Sequence, residues 1–413
     1  MSDLIITLLF IVLLLISIIG VIRKNIFAPY VAFSIIWSIL LFTYLISLDY
    51  FYPISDKAAF LILTGCFSFI LGSFIIAHKT RIIPLPFSFR KLKTGLFLIL
   101  ASLTIAVFIS TVIENIGYLA MGMDFNEILN KKASEDDISQ GFFLTVSSMF
   151  VAIPFVYVSV PVLGLEFCSN KKRWWVVLLS LIIIVFYILQ SARRSILIYI
   201  LPSLLYLIIS NNTQFNITKH EKKKTYMAFV IIAALIVFGV SWLSTQRNTS
   251  FKESGKEYIA GCLPSFSQRI EKCDTWYMGT GTLHGVLVPV MIGRNFFVHS
   301  YPKWWKDLDY LIEAPDDIKI GPNAHVNAFN TMFYIPYLDF GFIGVLVIPF
   351  LIGLLYGSVY RKTVCSPSPQ NRAIYSILLI GLFGSMYTLY FTQYPYLLSF
   401  IYLYILFTKK IAK

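Results

Sequence analysis

Leu4-Ile-Ile-Thr-Leu-Leu-Phe-Ile-Val-Leu-Leu-Leu-Ile-Ser-Ile-Ile-Gly-Val-Ile22 runs for nineteen residues without a charge. At about 1.5 Å of rise per residue, a helix of that length crosses the roughly 30 Å hydrocarbon core of a bilayer. A helix also satisfies its own backbone N–H and C=O groups where water is absent. The rest of the chain repeats the pattern: its 413 residues are 57% hydrophobic and 13% charged, with a mean hydropathy of +0.75. A water-soluble domain cannot cover so much apolar surface. The expected fold is therefore all-α, a polytopic membrane helical bundle.

Apolar runs predict about eleven transmembrane helices (ten to twelve), near 4–22, 28–46, 58–77, 95–113, 142–163, 174–189, 195–209, 226–243, 340–356, 374–390 and 397–407. This divides the chain into 1–243, with the first eight helices and an outer segment at 114–141; 244–339, a large outer loop; and 340–413, with the last three helices and a tail. No Lys or Arg precedes the first run, so it is expected to remain as a span and not to be cleaved as a signal peptide.

The net charge of +13 raises the question of nucleic acid, but the basic residues cluster in short connections between apolar runs, as cytoplasmic flanks do. With the N-terminus outside, inner segments hold twenty of the 34 Lys and Arg and only Glu166 and Glu221 as acids. The charge is topological, and no nucleic-acid partner is expected.

Long loops carry function more often than short connectors, which directs attention to 244–339. Its apolar patch Val286–Ile292 is too short to span and is expected to lie on the membrane surface or dip in as a re-entrant piece. Cys262 and Cys273 share this loop, so a disulfide between them is one reading and two thiols without a role the other. The spans hold almost no ionisable residue at mid-membrane, which argues against ion-coupled transport.

Two stretches concentrate chemistry. Gln190-Ser-Ala-Arg-Arg-Ser195 squeezes Arg193 and Arg194 between two apolar runs near the outer hydrocarbon edge. Guanidinium forks there suit phosphate or pyrophosphate oxygens, although snorkelling to ordinary head groups is the competing reading. Arg247 follows the eighth span and is a third candidate for the anion, with Arg269 and Arg294 further into the loop. The second stretch is Gly321-Pro-Asn-Ala-His-Val-Asn-Ala-Phe-Asn330, leading through Tyr337 to Asp339-Phe-Gly341. His325 is a candidate to take a proton from a sugar hydroxyl, and Asn323, Asn327, Asn330 and Tyr337 to bind glycan hydroxyls. Asp339 reads as a base, as the orienting partner of one, or as a helix cap. His284 and His299 compete with His325. Asp307-Leu-Asp309 reads as a solvated acidic run, since a hard-cation site needs converging oxygens.

The hydropathy outline, with Pro322-Asn323 through Asn330, Tyr337-Leu-Asp-Phe-Gly-Phe-Ile-Gly344 and Gly353-Leu-Leu-Tyr356, resembles the O-antigen polymerase (oligosaccharide repeat unit polymerase) family of bacterial inner membranes. The paired Arg, ten residues, Gly signature of some members is absent, since Thr280 and Trp305 stand where the glycines would follow Arg269 and Arg294. The resemblance implies a GT-C-like architecture and a glycosyltransferase of lipopolysaccharide or related polysaccharide biosynthesis. Its N-terminus would be periplasmic and its C-terminus cytoplasmic. The implied substrate is an oligosaccharide on undecaprenyl pyrophosphate within membrane lipid, with no metal or other cofactor. A chain-length regulator and a flippase are the implied protein partners. The rival readings are an O-antigen ligase, a lipid-linked oligosaccharide flippase or exporter, and a metal-dependent transferase using polyprenyl-phosphate sugars. The flippase predicts charged span interiors and short loops, and the metal-dependent enzyme predicts a compact acidic motif in the first outer loop, which offers only Asp49 and Asp56.

Overall fold

The computed structural model describes residues 1–78, 90–123, 127–128, 142–169, 172–191, 196–214, 251–273, 276–313, 318–326 and 329–409. These are almost wholly helical. Five of the helices are long and apolar enough to cross a membrane: Ser2–Ile22, Asp56–Ala77, Thr94–Ala120, the continuous stretch Ser148–Phe167, and Tyr334–Cys365. Shorter apolar helices include Pro29–Leu45, Trp174–Ser191, His284–Val298 and Tyr394–Leu406. The predicted span 226–243 lies outside the described residues.

Packing divides the chain into two units that do not follow chain order. The first comprises Met1–Pro84, Thr249–Cys365 and Gly381–Tyr394, and the second Leu85–Asn248, Ser366–Ile380 and Pro395–Lys413.

In the first unit the most extensive helix pair is Asp56–Ala77 against Tyr334–Cys365. Lipid tails are as apolar as leucine, so burial of apolar surface does little to draw such helices together, and small residues must let the backbones close. Here Gly72 faces the Phe350 carbonyl, while Gly353 and Gly357 face the carbonyls of Phe69 and Ser73; a Cβ at any of the three would collide with backbone. Gly353 and Gly357 are four apart, so both fall on one helix face. Ser55 starts the first of these helices, its hydroxyl accepting from the Ala58 N–H at 3.3 Å. Beside the pair, Phe33 stacks on Phe69 at 4.4 Å between centroids and Trp37 tilts against Phe333 at 4.9 Å. Helix Ser2–Ile22 buries the stripe Ile6, Leu9, Leu13, Ser17 and Gly20, with apolar residues on its other sides exposed.

The second unit packs Ile153–Phe167 on Trp174–Ser191 and the latter on Thr94–Ala120. Asn115 is buried and donates to the carbonyls of Leu189 (2.6 Å) and Gln190 (3.3 Å) in the last described turn of the helix Trp174–Ser191. Glu166, one of the two acids expected inside, is buried and ion-paired with Arg173. Arg90–Leu92 pairs antiparallel with Phe407–Lys409, tying the start of the Thr94–Ala120 helix to the chain end.

One predicted span is longer than expected and another requires correction. The one expected at 340–356 begins at Tyr334, breaks at Phe340 and Gly341, and continues to Cys365. The one expected at 374–390 stops at Phe383, and Gly384–Met386 and Tyr390–Thr392 follow as single 3-10 turns before the Tyr394–Leu406 helix. Hydropathy reads straight through this break because Leu, Tyr and Phe continue across it. Gly384 permits it, since a Cβ there would meet the Tyr390 ring.

Candidate functional site

Of the segment 244–339, read from sequence as the large outer loop, the described residues 251–273, 276–313, 318–326 and 329–339 belong to the first unit, and many of them converge on the two breaks. At the first break, Asp339 ends the short helix that starts at Tyr334. It is 0% exposed. One carboxylate oxygen accepts from the Gly281 N–H at 2.9 Å, and the other accepts from the Thr282 N–H and hydroxyl, both at 2.6 Å. The Leu338 and Asp339 carbonyls, orphaned by the break, accept from the N–H groups of Tyr277 and Met278. Gly341 has φ +59° and ψ −137°, a conformation open only to glycine, and lies against Trp276. Gly281 must likewise lack a Cβ, because Asp339 fills that space. Asp-Phe-Gly341 is thus a helix break with a carboxylate clamp on the 277–282 turn. With three hydrogen bonds to its two oxygens, Asp339 orients the turn.

The second break is covered by the same segment. The carbonyls of Ser385, Tyr387 and Thr392 accept from the Met332 N–H (2.7 Å), the Asn330 N–H (2.8 Å) and His284 Nδ1 (3.1 Å). Irregular backbone among apolar helices persists only where protein satisfies it, and here residues from 284–332 do so. His284 is buried. Its Nε2 lies 2.9 Å from Asp309 Oδ1, and its ring stacks on Trp305 with centroids 4.7 Å apart and planes 8° from parallel. Both partners, the Thr392 carbonyl and the Asp309 carboxylate, are acceptors, and between them they fix the orientation of the ring. Asp307 and Asp309 stand two residues apart on the helix Lys303–Glu313, and so on different sides of it. Asp309 serves His284 while Asp307 is exposed. Among the described residues no three His, Cys, Asp or Glu side chains converge.

Compared with known proteins, the chain matches no family model, and no curated protein or solved structure is significantly similar to it.

The remaining sequence candidates fall into three groups. His325 and Asn323 are exposed on the two-stranded hairpin Ile318–Lys319 and His325–Val326, which is fixed by the hydrogen bond from the Tyr52 N–H to the Ile320 carbonyl. Tyr337 is half-buried beneath Lys57, whose Nζ lies 5.0 Å from the ring centroid. Asn330 is buried, and its Oδ1 has no hydrogen-bond partner among the described residues. Arg193, Arg194, Arg247 and Asn327 lie outside the described residues. Arg269 is buried with Nε 3.4 Å from Ser265 Oγ, whereas Arg294 is exposed and donates to the Ser300 carbonyl at 2.5 Å. His299 takes the left-handed position that ends the helix His284–Val298.

The disulfide reading of Cys262 and Cys273 fails on distance. Cys262 opens the helix Cys262–Glu271 and Cys273 follows its end, so eleven residues of about 1.5 Å rise separate them by roughly 16 Å. A disulfide needs Cα atoms within about 7 Å. Burial also pushes the Cys262 thiol well above its ordinary range, which disfavours the reactive thiolate.

The meeting of His284, Asp309 and Thr392 left no signal in the sequence, because the partners are 25 and 108 residues from the histidine.

Proposed function

We propose that this chain is a membrane-embedded glycosyltransferase with a GT-C-like bundle of about eleven spans. It polymerises oligosaccharide repeat units carried on undecaprenyl pyrophosphate into O-antigen or a related surface polysaccharide at the periplasmic face of a bacterial inner membrane. The observation that weighs most is the described part of 251–333, which seals two helix breaks among apolar helices and leaves His325 and Asn323 exposed on a partly buried hairpin. A reaction between two lipid-carried glycans needs polar groups held against the membrane, and in this reading that is the part the segment plays.

In this reading the acceptor hydroxyl attacks the anomeric carbon of the donor sugar, the bond from that carbon to the pyrophosphate oxygen breaks, and undecaprenyl pyrophosphate leaves. His325 takes the hydroxyl proton, a role suited to imidazole near neutral pH. Arg193, Arg194 and Arg247 stabilise the charge that builds on the leaving pyrophosphate, since guanidinium groups pair with phosphate oxygens. Asn323, Asn327 and Tyr337 hold the glycan.

The test is a gel of surface lipopolysaccharide from a strain lacking this gene, complemented with the intact chain or with His325→Ala. Loss of the ladder with a core-plus-one-repeat band retained is the expected result in the deletion and in the variant. Loss of every repeat would instead assign the chain to ligation or flipping.

A further inference from the structure

The helix His284–Val298 is anchored to its unit at its N-terminal end. His284 and Gly285 are buried, and no residue from Val286 to Val298 is. That end is held by the Asp339 clamp on Gly281 and Thr282, and by the contacts of His284 to Thr392 and Asp309. The rest, Val-Leu-Val-Pro-Val-Met-Ile-Gly-Arg-Asn-Phe-Phe-Val, is apolar apart from Arg294 and Asn295. Leu283, Val286, Val290 and Phe297 fall along one stripe at helical spacing, and Val290 and Phe297 are 61% and 80% exposed. Trp276 and Met278 extend the exposed apolar surface beyond the stripe. Fifteen residues are too few to cross a bilayer, and water is a poor environment for such a surface.

The occupant of that surface follows from continuity. Immediately after the break at Gly341, the helix Tyr334–Cys365 turns Phe342, Ile343, Leu346 and Val347 outward, and Phe342 stacks on the exposed Phe60 of Asp56–Ala77. The surface of two helices long and apolar enough to cross a membrane thus starts at the level of the break, which is where the clamp fixes the start of His284–Val298. Charge agrees: Arg294, Lys303 and Lys306 are exposed toward the far end of the helix and just beyond it, and such side chains sit among lipid phosphates when their helix lies in the interface.

We propose that His284–Val298 is an interfacial foot, lying in one leaflet with Val286, Val290 and Phe297 among acyl chains, Arg294 reaching from the same helix face up to the lipid phosphates as long basic side chains do, and Lys303 and Lys306 beside it, pivoted on the Asp339 and His284 anchors. The inference does not depend on the transferase reading.

The test uses the full-length chain in nanodiscs of radiolabelled phosphatidylglycerol, with the photocrosslinking residue p-benzoylphenylalanine replacing Val290, Phe297 or, as an exposed control outside the two helices that carry the proposed contacts, Glu271. Lipid adducts at 290 and 297 several-fold above those at 271 are the expected result. Equal yields at all three positions, or adducts at 290 and 297 with a second copy of the chain in place of lipid, would overturn the proposal. In phosphatidylcholine nanodiscs the yield at 297 should fall at least twofold, and an unchanged yield would overturn the phosphate contacts.

Discussion

Asp339 accepts three hydrogen bonds, and this decides how its variants behave. Each hydrogen bond to a charged group contributes about 1.5–3 kcal/mol, and Asp339 accepts three from the 281–282 turn. Asp339→Asn turns one acceptor into a donor facing an N–H, so thermal unfolding of the detergent-solubilised protein should fall measurably, and further for Asp339→Ala. A variant of unchanged melting temperature that had lost polymer synthesis would return Asp339 to a chemical role. His284→Ala should cost about 1–3 kcal/mol, because it leaves the Thr392 carbonyl without its imidazole donor and empties the space against Trp305. Cys262, buried with its thiol pushed up, should resist maleimide at pH 8 in the folded protein and react once the protein is denatured, as mass spectrometry would show.

Glycine placement governs the element scale. The helices Asp56–Ala77 and Tyr334–Cys365 meet through Gly72, Gly353 and Gly357. Gly353→Leu or Gly357→Leu would force backbones apart, an overpacking cost of about 1–3 kcal/mol or more. A lower melting temperature and reduced yield of folded protein in detergent are expected, while Gly95→Ala, where a Cβ meets nothing, should be neutral. Gly341→Ala places a Cβ on a backbone only glycine adopts and should destabilise the break by about 1–3 kcal/mol. The glycines of Asp-Phe-Gly-Phe-Ile-Gly344 were visible in sequence as part of a resemblance. Their physical role was not, because a helix break is specified by the partners that cap its loose carbonyls, and Tyr277 and Met278 lie some sixty residues upstream.

At the scale of the whole molecule, the transferase proposal is tested through its basic residues. Arg193→Ala and Arg194→Ala should each shorten or abolish the polysaccharide ladder without loss of membrane-inserted protein, read by gel and immunoblot together. A full-length ladder in either variant would remove the pyrophosphate role assigned to that arginine. What the sequence determined alone is the helical membrane character, because hydropathy is a sum over neighbours along the chain and a bilayer demands that sum within about 20 residues. The sequence also marked Val286–Ile292 as an apolar piece too short to cross, which is now the core of one helix. Only the tertiary structure decided that the run 374–390 breaks at Gly384, that Asp339 clamps the 281–282 turn, and that His284 meets Asp309 and Thr392. Those outcomes depend on which distant donor reaches which acceptor, and a buried polar group takes its role from the partner that satisfies it.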